Sequence, residues 1–192
     1  MPANPVDKLL KPRFPPFAVG IDSGAASVLQ LDRGRGGFLV KRAASISLPS
    51  DLIRASFDES NIEDPQELTV ALGELLTSAG LLRQRKWSVT LPEASTRAGV
   101  MTLEGAAGSR RELEEVLEWK IERSFGAPLS ELRVAREPLP PDAGRQTRYL
   151  VTAVRLSVLA EYEAVFTALG WQAGLILPRH AGEEQWLLGS TA

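Results

Sequence analysis

Phe17-Ala18-Val19-Gly20-Ile21-Asp22-Ser23-Gly24-Ala25-Ala26-Ser27-Val28-Leu29-Gln30-Leu31 decides the fold. An apolar run of strand length reaches Ser23-Gly24, which supplies a turn, and Ser27 to Leu31 returns as the partner strand. The reading is a β-hairpin with an acid, Asp22, at its tip. Backbone N–H groups at such a turn, uncovered by large side chains, are suited to surround a phosphate, and a carboxylate beside them is suited to orient water around magnesium. An ordinary hairpin, whose Ser and Gly only satisfy turn geometry, fits the same residues.

Working outward, the first sixteen residues contain Pro2, Pro5, Pro12, Pro15 and Pro16 and are expected to be a flexible tail, with the fold starting near Phe17. Beyond the hairpin, Arg33-Gly34-Arg35-Gly36-Gly37 reads as a second turn and Phe38 to Leu48 as a third strand stopped by Pro49, which makes an antiparallel meander. A mixed segment, Ser50 to Glu63, leads to a helix marked by Asp64 as N-cap, Pro65 at the first helical position, Glu67 three residues after the cap and Gly80 past the end. Its stripe of Leu68, Leu72, Leu75, Leu76 and Ala79 recurs every three or four residues and predicts one face against a sheet. Trp87 to Leu91 then reads as a strand ending at Pro92.

A second lobe is expected from Ala94 onward: a strand over Arg97 to Leu103, a flexible turn over Gly105 to Gly108, and a helix opened by the capping box Ser109-Arg110-Arg111-Glu112. Strands follow over Leu132 to Leu139 and Tyr149 to Arg155, separated by a Pro-Pro-Asp-Ala-Gly turn. Ser157 is expected to cap a helix running to Leu169, with Gly170 at its end, before a last strand over Trp171 to Leu177. The order strand, helix, strand, strand, helix, strand reads as a split β-α-β layer with helices on one face. Leu113, Val116, Leu117 and Ile121 form the expected core stripe of the first of these helices, and Tyr162, Val165, Phe166 and Leu169 that of the second. The run Glu112, Glu114, Glu115, Glu118 and Glu122 reads as a solvated helix face.

With 192 residues the chain can bury one substantial core or two small ones. An apolar fraction of 44% and a charged fraction of 24% argue for a folded protein and against a disordered or membrane-spanning one. Lys and Arg total 22 against 24 Asp and Glu, so the net charge of −2 provides no general field for nucleic acid. The absence of cysteine excludes disulfides, thiolate zinc sites and cysteine nucleophiles. His180, the one histidine, cannot build a histidine metal cluster, has no Ser or Asp constellation around it, and is expected to have a surface or packing role. No catalytic or metal-binding residue is picked out. No stretch approaches the roughly 20 apolar residues of a membrane helix, so any membrane role is expected to be peripheral.

Several stretches in order resemble the PilM family, actin-like cytoplasmic proteins of type IV pilus assembly related to FtsA. The family's G-I-D-x-G strand-turn-strand stands here as Gly20-Ile21-Asp22-Ser23-Gly24-Ala25-Ala26-Ser27-Val28. A leucine-rich helix ending in A-G-L stands over Leu68 to Leu81, and a V-x-L-P strand is Val89-Thr90-Leu91-Pro92. The E-L-E-E-x-x-x-W-x-I-E-x pattern runs from Glu112 to Arg123, and a P-L-x-E block is Pro128-Leu129-Ser130-Glu131. The resemblance implies an α/β (α+β) fold: a partial actin-like, ribonuclease H-like subdomain 1A over 17–93 and an inserted 1C-type, split β-α-β subdomain over 94–178. A C-terminal helix over 179–192 would return toward subdomain 1A, and the second actin-like lobe is expected to be missing from the chain.

The resemblance also implies function. The cofactor of a complete homologue would be ATP with magnesium, held in part by the residues matching Asp22, Ser23, Gly24, Ala25 and Ser27. Two family serines are Ala25 and Ala26 here, and the basic residue often following the valine is Leu29. Loss of those donors weakens phosphate binding, each charge-assisted bond being worth about 1.5–3 kcal/mol, and the turn is expected to be a vestige of a phosphate loop. The implied role is a noncatalytic cytoplasmic scaffold, peripheral to the inner membrane. It would grip the N-terminal tail of a bitopic PilN-like protein in a groove near Val89 to Gly99 and the helix Arg110 to Ser124, with motor ATPases as further partners. Val89, Leu91, Arg97 and Trp119 are the candidate contacts, by edge pairing and side-chain pockets. Trp119 lies off the apolar stripe, and core packing at the flank of that stripe remains open for it beside partner contact. The alternatives are half of an ATP-dependent enzyme of the sugar-kinase, heat-shock-ATPase and actin superfamily, and the actin-like region of a type II secretion protein.

Overall fold

The computed structural model describes residues 15–34, 37–103, 109–140, 146–179 and 181. Strands β1 (Phe17–Ile21), β2 (Ala25–Gly34) and β3 (Gly37–Ser47) form the expected antiparallel meander, with Val19 opposite Val28 and Gly34 opposite Gly37. Pro16 belongs to this sheet, since its carbonyl accepts from the Leu31 N–H at 2.8 Å. Helix α1 (Pro65–Ala79) carries both predicted caps. The Asp64 carboxylate accepts from the N–H groups of Gln66 and Glu67, and Gly80, at φ 66°, lets the Leu81 N–H turn back to the Leu76 carbonyl. The stripe Leu68, Leu72, Leu75 and Leu76 is buried as its spacing requires.

Strand β4 (Lys86–Leu91) lies parallel to β1, and the chain then leaves for a second, antiparallel sheet of order β5-β7-β6. Its strands are β5 (Arg97–Leu103), β6 (Leu132–Leu139) and β7 (Thr147–Arg155). Helix α2 (Arg110–Phe125) covers one face, opened by the reciprocal Ser109–Glu112 box and closed by Gly126 at φ 70°. Leu117, Ile121 and Phe125 are its buried residues, whereas Val116, expected inside, is 46% exposed. The buried face is set by the stripe Leu113, Leu117, Ile121 and Phe125, and Val116 lies to its side.

The second lobe is shorter than its expected span over 94–178. Helix α3 (Leu156–Ala168) and β8 (Gln172–Pro178) return to the first sheet, whose order is β3-β2-β1-β4-β8. β8 pairs in parallel with β4, and α3 packs into the same core as α1, so both elements belong to the first lobe. Val158, Leu159, Tyr162, Val165 and Phe166 of α3 share the core of α1. Nor does Ser157 cap this helix: Arg155 holds the cap position, with no side-chain bond to the free backbone donors. Trp87 and Trp171, with ring centroids 4.8 Å apart, close the base of this core together with Phe166 and Phe17. The expected helix over 179–192, the tail up to Phe14, both loop turns of the second lobe and His180 lie outside the described residues, apart from Arg179 and Ala181.

Candidate functional site

Asp22 stands at the carboxyl end of β1, where parallel strands of an open α/β sheet present ligands. The turn behind it is internally matched. The Asp22 N–H donates to the Ala25 carbonyl, the Ser23 N–H to Asp22 Oδ1 at 2.9 Å, and the Leu48 N–H to the Gly24 carbonyl. Asp22 Oδ2 accepts from Arg179 Nη1, which comes from the end of β8. Around this pair is a hollow of about 410 Å³ lined by Asp22, Ser23, Ala55, Pro92, Glu93, Ala94 and Arg179.

Of the proposed loop residues, only Asp22 and Ser23 line that hollow. Ala26 is buried, and the Ser27 hydroxyl points at Gly20, where an added Cβ would lie 3.1 Å from it. Gly24 keeps a negative φ, so its place in the turn does not require glycine. These residues do not fit a magnesium triphosphate: the turn donors of Asp22 and Ser23 are already in use, and the carboxylate that would organise the cation holds a guanidinium. Among the described residues no group of three or more His, Cys, Asp or Glu side chains is placed to hold a metal ion.

The short 3₁₀ turn Glu93–Ser95 walls this hollow, and a buried polar network fixes it. Ser95 Oγ donates to Asn61 Oδ1 at 2.5 Å, and Asn61 Nδ2 donates to the carbonyls of Ser56 and Glu59. The Glu161 carboxylate of α3 takes the N–H groups of Asn61 and Ile62. Tyr162 Oη donates to Asn61 Oδ1, and burial pushes its hydroxyl up to about 12.

On the far side of this wall lies a larger groove, about 620 Å³, between the two sheets. β7 explains its position by alternation: Val151 and Ala153 face α2, while Leu150, Thr152 and Val154 face the first lobe. Ile176, Leu177 and Pro178 of β8 and Leu91 of β4 form the opposite wall. β6 runs along the mouth, and neither β6 nor β8 has a second strand neighbour among the described residues, so two sheet edges border one apolar cleft.

Four predicted partner contacts fall in different places. Leu91 and Val89 are both core residues at 1% exposure, and of the two Leu91 borders the groove wall. Arg97 is a clasp at the start of β5. It donates to the Phe125 carbonyl, pairs with Asp58 at 2.7 Å and lies over the Phe57 ring. Arg155, at the end of β7, joins the same Asp58 at 2.9 Å, so both strands through which the chain enters and leaves the second sheet are tied to one loop. The Arg155 hydrogen bond, with the charges of Arg97 and Arg155, holds the Asp58 carboxyl below its ordinary range. Trp119 is 55% exposed with Arg123 over its ring, so it is not core. It also lies across the second sheet from the groove, because α2 covers the opposite face and Arg136 of β6 reaches back to Glu114 and Glu118 on that side. The cleft between the two sheets takes Leu91 and Thr96 from the expected Val89 to Gly99 stretch, while its remaining walls come from β6, β7 and β8 and not from α2. Pro138 and Pro140 were the available sequence signal, since proline in a strand marks an edge.

No protein-family model matches the sequence, and no curated protein matches it. Solved structures do match. The chain is similar to a chain of a PilM-PilN type IV pilus biogenesis complex, with TM-score 0.70 and 21% identity over 88% of this chain and 48% of that one. It is also similar to the cytoplasmic domain of EpsL, an inner membrane component of the type II secretion system of Vibrio cholerae, with TM-score 0.53 and 14% identity over 84% and 56%. The chain spans about half the length of the structures it matches. Its fold is the actin-like fold of the PilM type, an α/β arrangement in which a five-stranded sheet carries an inserted three-stranded one.

Proposed function

We propose that this chain is a noncatalytic actin-like scaffold of type IV pilus or related secretion machinery. It works at the cytoplasmic face of the inner membrane and grips an extended apolar tail of a PilN-like membrane protein. The groove carries this reading: it has the volume of a ligand site, an apolar lining and two available strand edges, the features needed to add a peptide as a strand and seat its alternate side chains. The fold likeness to a chain from a PilM-PilN complex supports the class of partner. The noncatalytic part rests on the Asp22 turn, where Arg179 occupies the carboxylate. The test is fluorescence anisotropy with a labelled peptide copying the N-terminal cytoplasmic segment of a single-span membrane protein encoded beside this chain. Saturable binding that Thr152→Arg abolishes while the melting midpoint holds is the expected result. Binding indifferent to Thr152→Arg, or none, overturns the reading.

A further inference from the structure

The mouth of the groove carries charge as well as apolar surface, and strand alternation decides which charges face it. The charged residues of β6 are Arg133, Arg136 and Glu137. Its register against β7 puts Arg133 opposite Val154, Ala135 opposite Thr152 and Glu137 opposite Leu150. Residues directly opposite in a sheet share a face. Leu150, Thr152 and Val154 face the first lobe, so Arg133, Ala135 and Glu137 also face the groove, which they line. The intervening Val134 packs into the core under α2, and Arg136 pairs with Glu114 and Glu118 on that side.

The two groove-facing charges are exposed, and neither makes an ion pair or side-chain hydrogen bond among the described residues. Glu131, just before β6, is by contrast taken by Arg155 at 2.9 Å. Four residues along a strand set Arg133 and Glu137 about 13 Å apart, and they do not pair with each other. Arg148 shares this face, opposite Leu139, and forms no ion pair with Glu137. It stands one strand farther from the open edge, about 5 Å, so a segment added to β6 meets Glu137 first.

We propose that the segment held in this groove carries an acidic and a basic side chain four positions apart, the acid opposite Arg133 and the base opposite Glu137. This deepens the tail-binding reading and rests on it. A strand added along β6 repeats its two-residue alternation, so three successive groove-facing side chains of the occupant fall opposite Arg133, Ala135 and Glu137. Opposite charges directly across stabilise a strand pair and like charges destabilise it. An occupant uncharged at these places would cover both side chains without pairing them. The charges also fix register: an apolar lining tolerates a slip of two positions, whereas that slip breaks both ionic contacts. Their order gives the direction of the added strand, acid first if it runs parallel to β6 and base first if antiparallel.

Fluorescence anisotropy with three labelled peptides tests this. They share one extended threonine–valine sequence and carry Asp and Lys four positions apart, in either order, or Ser at both positions. The unaltered chain is expected to bind one charged order about tenfold tighter than the other, and added salt should shrink the difference. The variant R133E/E137R should invert that preference with an unchanged melting midpoint, because both side chains are exposed. Equal binding of the two orders, or a preference that R133E/E137R leaves as it was, overturns this inference. The groove reading survives that outcome if the Ser peptide still binds saturably and Thr152→Arg abolishes it. Absence of binding by all three peptides overturns both.

Discussion

Two hollows share one wall in this molecule. Glu93 and Ala94 face the Asp22 hollow, and Thr96, just beyond them, faces the groove. On the Asp22 side the N–H groups of Asp22 and Ser23 donate to Ala25 and Asp22 within the turn, and Arg179 pairs with the Asp22 carboxylate. On the groove side the lining is largely apolar, and strand edges border the mouth. A ligand at the first hollow must break existing bonds before it makes new ones, whereas one at the groove gains bonds from edges that have no second strand neighbour among the described residues and removes apolar surface from water. The conspicuous sequence pattern, G-I-D-x-G, therefore marks the less available of the two.

The wall is where this contrast is easiest to break. Asn61→Leu would leave the Ser95 hydroxyl buried without its partner and release the part-buried bonds to the Ser56 and Glu59 carbonyls, at a cost of about 2 kcal/mol of folding stability. Urea unfolding measures it, and a loss below about 1 kcal/mol would show that the divider stands without its network. On the groove side, Thr152→Arg should weaken capture of the tail peptide by about a hundredfold. Mg-ATP should bind the unaltered chain no tighter than about millimolar by equilibrium dialysis. Tighter nucleotide binding would reverse the order of the two sites.

The clasp at Asp58 sharpens the groove side. Its carboxyl is held below the ordinary value of 3.8, so its stabilising effect is fully present above that pH and is lost as the pH falls through the lowered folded value. The acid side of the melting-midpoint profile should therefore flatten in Asp58→Asn. Peptide capture by the unaltered chain should fall in the same acid window, because Arg97 and Arg155 tie β5 and β7, the strands that enter and leave the second sheet, to the loop at Asp58. An identical acid profile for variant and parent would deny the clasp that role.

Local chemistry explains what was legible beforehand. Asp64, Pro65 and Gly80 delimit α1 because caps act within one turn, and β5 and β6 begin and end where alternation and breakers place them. The destination of α3 and β8 was not legible, because both sheets offer an edge strand and the choice between them is a property of the assembled fold. The same limit hid the walls of the cleft. Leu150, Thr152 and Ile176 lie in three-dimensional proximity without any shared sequence pattern, while Trp119, conspicuous in the chain, was carried by α2 to the opposite face.

The smallest expected effects discriminate most cleanly between a working phosphate loop and an ordinary turn. Gly24 has no positive φ, and nothing lies within 4 Å of an added Cβ, so Gly24→Ala should change stability by less than about 0.5 kcal/mol. A phosphate cradle would feel that methyl group as a loss of nucleotide affinity, and a strained turn would feel it as a lower melting midpoint. Neither should occur here. Trp119→Ala is the matching control on the second lobe. It removes an exposed ring and the Arg123 contact, worth about 0.5–1 kcal/mol at such sites, and should leave peptide capture unchanged. Impaired capture in Trp119→Ala would mean that the partner wraps around to α2 and that the groove is only part of its path.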